Sequence, residues 1–156
     1  MATSIVNYLK QSDIFYKFTT TQLELVANLC QEIMLKADEE LFRENSKSNE
    51  LYVITGGEVN ILIGPAGEET TIATLKRGQS FGEVALVDEG LRSATARATH
   101  KDTRLLVIPR EKLIMLCETY PQLGHRLMYN LATDLATKIR NTDLRIREAL
   151  IYGPKA

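Results

Sequence analysis

The residues best suited to chemistry in this sequence lie between Gly78 and Ala98. A β-type run reaches Gly82, a short helical segment is expected from Glu83 to Gly90, and Arg92 opens the next strand. The first N–H groups of a helix lack partners within it and so offer donors to an anion. A guanidinium beside them adds countercharge through a planar, bidentate fork. Glu83 would repel a bare anion, yet a carboxylate accepts hydrogen bonds. Glu83 with Arg92 therefore suits a ligand that presents a phosphate and a sugar hydroxyl together. The same two side chains also permit a plainer reading, an ion pair that closes the segment.

Other chemistries find less support. Gly78-Gln79-Ser80-Phe81-Gly82 matches the G-x-S-x-G nucleophile elbow, and His100 and His125 follow it. That elbow needs a strand-turn-helix on a parallel sheet, whereas this chain reads as hairpins without alternating helices. No GK[ST] loop, H-E-x-x-H or dinucleotide glycine triplet occurs. Cys30 and Cys117 are the two cysteines; both read as buried thiols, too few for a four-cysteine site. No enzyme, metal or cofactor is expected.

These residues need a scaffold. The 156 residues are 44% hydrophobic and 25% charged, with net charge -1, as expected of one globular domain; its helical ends and β-type middle make the expected class α+β. Without a basic field the chain alone is not expected to bind nucleic acid. No apolar run has the length of a membrane span, and the N-terminus lacks the pattern of a signal peptide, so a cytoplasmic protein without membrane contact is expected. A helical segment is expected over residues 1–36, with a helix from Thr19 to about Lys36 capped by Thr20 or Thr21 with Glu24. Residues 37–109 alternate in short β-type runs broken by Gly, Pro and Asn, which predicts an antiparallel sandwich. Residues 110–156 return to helical spacing. Their long stripe, Leu123, Leu127, Leu131, Leu135, Ile139, Ile146 and Leu150, outruns the domain. Burial against a symmetric partner helix is the simplest completion, and folding back onto the same subunit is the other.

Phe81-Gly82-Glu83, two residues, Leu86, an acidic turn and then Arg92-Ser93-Ala94-Thr95-Ala96-Arg97-Ala98 together resemble the phosphate-binding cassette of the cyclic nucleotide-binding domain family. That family includes catabolite activators and regulatory subunits of cAMP-dependent protein kinase. The resemblance extends through Leu51-Tyr52-Val53-Ile54, Gly56-Gly57-Glu58-Val59 and the helices after Pro109. It implies a jelly roll flanked by N-terminal helices and a long C-terminal helix, with the cassette at residues 78–98. By the same resemblance Glu83 takes the ribose 2′-hydroxyl and Arg92 the cyclic phosphate. Gly82 and Ala85 offer backbone N–H groups, Ser93 and Ala94 complete the cradle, and Phe81 and Val84 lie beside them in the cassette. The final helix covers the base in the family, which makes Thr137, Lys138, Asn141 and Thr142 candidate lid residues. Ser93, a hydroxyl just after the cassette arginine, occurs with cGMP and, in activator-like proteins, with cAMP.

The expectation is a stand-alone receptor, for cAMP ahead of cGMP, that regulates an unknown protein effector and dimerises through its last helix. The alternatives are the truncated sensing domain of a transcription regulator and a same-fold sensor of another ligand. The turn from Phe42 to Asn49 lacks the family's usual glycine; Asn45 can supply the left-handed conformation instead.

Overall fold

A computed structural model of the chain describes residues 2–47, 49–87, 91–99 and 102–153. Helix α1 (Ala2–Lys10), a 3-10 turn (Asp13–Phe15) and α2 (Thr20–Ala27) lead into β1 (Gln31–Leu35) and β2 (Glu40–Phe42). There follow β3 (Glu50–Gly56), β4 (Glu58–Ile63), β5 (Thr70–Lys76), β6 (Ser80–Phe81), the single turn α3 (Val84–Val87), β7 (Thr95–Ala98) and β8 (Thr103–Pro109). Helices α4 (Arg110–Thr119) and α5 (Pro121–Tyr152) close the chain. The strands form two antiparallel sheets, ordered β1-β8-β3-β6 and β2-β7-β4-β5. The fold is an α+β jelly roll with helices before and after it.

The uninterrupted apolar runs in β3 and β8 arise because their sheet is covered on both faces. Leu51, Val53, Leu106 and Ile108 face the helices, joining Leu9, Val26, Leu113, Leu123 and Leu127. Tyr52, Ile54, Leu105 and Val107 face the other sheet and meet Val59, Ala96 and Ala98. Gly57 turns β3 into β4 at φ 73°, where a Cβ would lie 2.5 Å from Thr103 Oγ1.

The long helix expected over 19–36 is two elements. Helix α2 ends at Ala27, and Gln31–Leu35 is a strand on the edge of β8, with Leu35 opposite Thr103. Ile33 and Leu35 are two apart and join the core between the sheets; Cys30, Ile33 and Met34 also continue the helical spacing of α2, and the pairing edge of β8 decided between the two patterns. The cap also sits earlier than expected. Thr19 Oγ1 accepts from Gln22 N at 3.2 Å and Gln22 Oε1 accepts from Thr19 N at 2.9 Å, a capping box that leaves Leu23, Val26 and Ala27 facing inward.

Helix α5 runs 32 residues without a break, with Pro121 in its first turn, where its missing N–H costs nothing. Leu123, Leu127 and Leu131 are buried, but every residue from Ala136 to Tyr152 is exposed, including Ile139, Ile146 and Leu150. Asn130 is buried and donates to Ile14 O at 2.9 Å and Tyr16 O at 2.8 Å, which pins the 3-10 turn to α5. From that turn Asp13 accepts from Ser80 Oγ at 2.8 Å, so one short segment ties α5 to the start of the cassette.

Candidate functional site

Strand β6 delivers the chain to Gly82, whose φ of 77° favours glycine and whose missing side chain makes room: a Cβ would sit 2.8 Å from Arg92 Nη1 and 3.0 Å from Glu50 O. Through that gap Arg92, 6% exposed, lays its guanidinium 4.2 Å from the centroid of the Phe42 ring and 5.6 Å from that of Tyr52. Phe42, Tyr52 and Phe81 lie against one another at centroid distances of 5.1 to 6.1 Å, a packed aromatic floor under the charge. Arg92 Nη2 donates to Glu50 O at 2.9 Å, while its Nε is buried without a hydrogen-bond partner among the described residues. Burial pulls the Arg92 guanidinium below its ordinary value, and Tyr52, Glu50 and Glu83 oppose that pull.

Glu83, 5% exposed, begins the turn into α3. Its ion pair is with Lys138 of α5, so the Glu83–Arg92 pair that the residue types allowed is not the arrangement found. Asp134 Oδ2 holds the same ammonium at 3.0 Å. Burial disfavours the Lys138 charge, but Glu83 and Asp134 outweigh it and keep the ammonium above its ordinary value.

A cavity of about 550 Å³ joins these groups, within the roughly 300–1,000 Å³ common to small-molecule sites. Phe81, Gly82, Glu83, Arg92, Ser93 and Ala94 form its polar end, while Phe42, Ile61, Ile72 and Leu75 give an apolar wall. Helix α5 closes it with Lys138, Asn141, Thr142 and Arg145. Nine of the twelve candidate residues thus share one cavity. Thr137 does not: its hydroxyl bonds to Thr133 O at 3.1 Å along the helix. Val84 and Ala85 start α3, and their side chains, like residues 88–90, lie outside the described structure.

Phe42, Tyr52 and Arg145 were not singled out in the sequence. Arg145 lies seven residues after Lys138 and four after Asn141, so helical periodicity was a usable signal. The aromatic floor gave none, because each ring belongs to an ordinary strand. Asn45 takes the left-handed conformation expected of it, at φ 70°.

Ser80 is buried, and its hydroxyl is engaged by Asp13. His125 lines a different groove, with Lys17, Gln22 and Arg126, and His100 lies outside the described residues. Burial pushes the Cys30 thiol up to about 12 and also raises Cys117. Among the described residues no cluster of three or more His, Cys, Asp or Glu side chains is arranged to hold a metal, and no helix is long and apolar enough to cross a membrane.

A profile of the cyclic nucleotide-binding domain matches residues 32–120, more than half of the chain. The chain belongs to the cyclic nucleotide-binding domain family. The cyclic AMP receptor protein of Thermus thermophilus is 32% identical over 139 residues, covering 88% of this chain and 62% of the relative. A crystallised cyclic nucleotide-binding domain from Methylobacillus flagellatus superposes with a TM-score of 0.79 at 25% identity, covering 93% of this chain and 82% of that one. The regulatory domain of Toxoplasma gondii PKA, co-crystallised with cAMP, superposes with a TM-score of 0.66 at 27% identity, over 73% of this chain and 43% of that one. The chain spans less than two thirds of the curated relatives it first matches.

In this cyclic nucleotide-binding domain the cavity has a cationic end, a carboxylate beside it and an apolar flank. That order matches an anion, a hydroxyl donor and a flat ring carried on one small molecule.

Proposed function

We propose that the chain binds a cyclic mononucleotide, cAMP ahead of cGMP, between its cassette and α5. On this reading it is a receptor in its own right, because the ligand cavity and an exposed output surface lie on the same chain. Arg92 takes the cyclic phosphate, Gly82 and Ala85 add backbone N–H groups, and Ser93 and Ala94 complete the cradle. Glu83 accepts from the ribose 2′-hydroxyl, with Phe81 and Val84 alongside. The base lies along Ile61, Ile72 and Leu75, under Asn141 and Thr142. No catalytic step is part of this reading.

One observation carries it. Arg92 and Glu83 are both more than nine-tenths buried in one cavity wall, yet Glu83 pairs with Lys138 while Arg92 rests on rings and a carbonyl. A buried guanidinium with no carboxylate ion-pair partner among the described residues is a strong receiver for an anion. The preference for cAMP rests on the likeness to the Thermus thermophilus and Toxoplasma gondii proteins. Helix α5 lines the cavity and also presents Ile139, Ile146 and Leu150 to solvent, so a ligand that favours one placement of α5 biases what docks there, a second copy or a cytoplasmic effector. The shift is bounded by the ligand's differential affinity for the two placements.

Calorimetric titration with cAMP, cGMP and 5′-AMP tests the proposal. Binding is expected in the order cAMP, cGMP, 5′-AMP, and heat silence with all three overturns it.

A further inference from the structure

Lys138 occupies an unusual place for a residue on an exposed helix face. Its side chain is 47% exposed, yet its ammonium is shared between Glu83, whose side chain is 6% exposed, and Asp134 one turn back at 3.0 Å. A carboxylate buried beside a bound phosphate puts two like charges in one poorly screened cavity. Arg92 balances one of them. Lys138 is in contact with the other, and an ammonium carries three donors in a compact point charge. Held by Asp134, it also restricts the Glu83 rotamer, and its contact is with Oε1, which leaves Oε2 to accept a hydroxyl.

We infer that Lys138 is a positioning residue for sugar recognition: it neutralises and orients Glu83 so that this carboxylate accepts the ribose 2′-hydroxyl next to an anionic phosphate. It thereby joins α5 to the cassette at the ligand's sugar instead of covering the base. The inference rests on the proposed role of Glu83.

The test is a double-mutant cycle read by calorimetry with cAMP and 2′-deoxy-cAMP on Lys138→Gln, Glu83→Gln and the double variant. Lys138→Gln is expected to weaken cAMP about tenfold in the wild-type background and less than about twofold in the Glu83→Gln background. It should also shrink the ratio of cAMP to 2′-deoxy-cAMP affinity, a ratio that general loosening of the fold leaves alone. Lys138→Arg, which keeps the cation, should recover most of the affinity and covers the case of poor folding by the glutamine variant. Equal losses in both backgrounds would mean that Lys138 meets the ligand directly and would overturn the inference, as would no loss at all. If the unaltered protein binds neither nucleotide, or if Glu83→Gln binds cAMP as tightly as the unaltered protein, the proposed function or its Glu83 assignment fails first, and that failure is visible before any Lys138 variant is read.

Discussion

Truncating Arg92 to alanine should remove most cyclic-nucleotide affinity while leaving the jelly roll folded. Arg92 is 6% exposed, so the desolvation cost of its charge is met on folding and a bound phosphate gains its full countercharge. In Arg92→Ala the phosphate would enter the same poorly screened pocket without that partner, since Lys138 is already engaged by Glu83 and Asp134. Truncating one member of a desolvated, hydrogen-bonded charge pair costs about 2–5 kcal/mol, a loss of about thirtyfold to several thousandfold. The fold should tolerate the change. The lost bond to Glu50 O and the Phe42 ring contact are offset by relief of a buried charge, for a net change within about 2 kcal/mol. Calorimetry with cAMP beside a thermal melt separates the two effects. Binding within about threefold of the unaltered protein, with the melt intact, would refute the phosphate role.

Three further outcomes follow from other contacts. Gly82→Ala should weaken cAMP binding without altering any charge, because its Cβ meets Arg92 Nη1 at 2.8 Å and Glu50 O at 3.0 Å; the left-handed backbone adds about 1–3 kcal/mol of strain, readable as a lower melting temperature. Asn130→Leu should cost about 2–4 kcal/mol in denaturant unfolding, since it strips the donors from two carbonyls at Ile14 and Tyr16; an unchanged midpoint would show that pin to be idle. Burial raises the Asp13 carboxyl above its ordinary value against the bond from Ser80, so the folded chain holds that proton more tightly than the unfolded one. Its contribution to stability therefore improves as pH falls through the raised folded value toward the ordinary aspartate value, and the unaltered protein should gain on Asp13→Asn as the solution is acidified; a constant difference would contradict it.

The cassette was legible because Glu83 and Arg92 lie nine residues apart in one continuous segment, where residue type and order carry the chemistry. The β-type runs of β3 and β8 were equally plain, but that both faces of their sheet are covered came from the two cores they join. What escaped reading depends on contacts far apart along the chain. Lys138 meets Glu83 across 55 residues, and Asn130 meets Ile14 across 116; on sequence alone each is a polar residue on a helix. Gln31 to Leu35 suited either a strand or a helix until β8 was there to pair with it. The outer half of α5 kept its apolar stripe, but nothing else in the described structure covers Ile139, Ile146 and Leu150, and a stripe in sequence does not say what, if anything, packs on it.

A crystal structure of the chain grown with cAMP tests the cavity assignment most directly. The expected result places the cyclic phosphate against the Arg92 guanidinium and the ribose 2′-hydroxyl on Glu83, with Lys138 still touching that carboxylate. Nucleotide bound away from both side chains, or Arg92 and Glu83 closed on each other with cAMP outside, would contradict it.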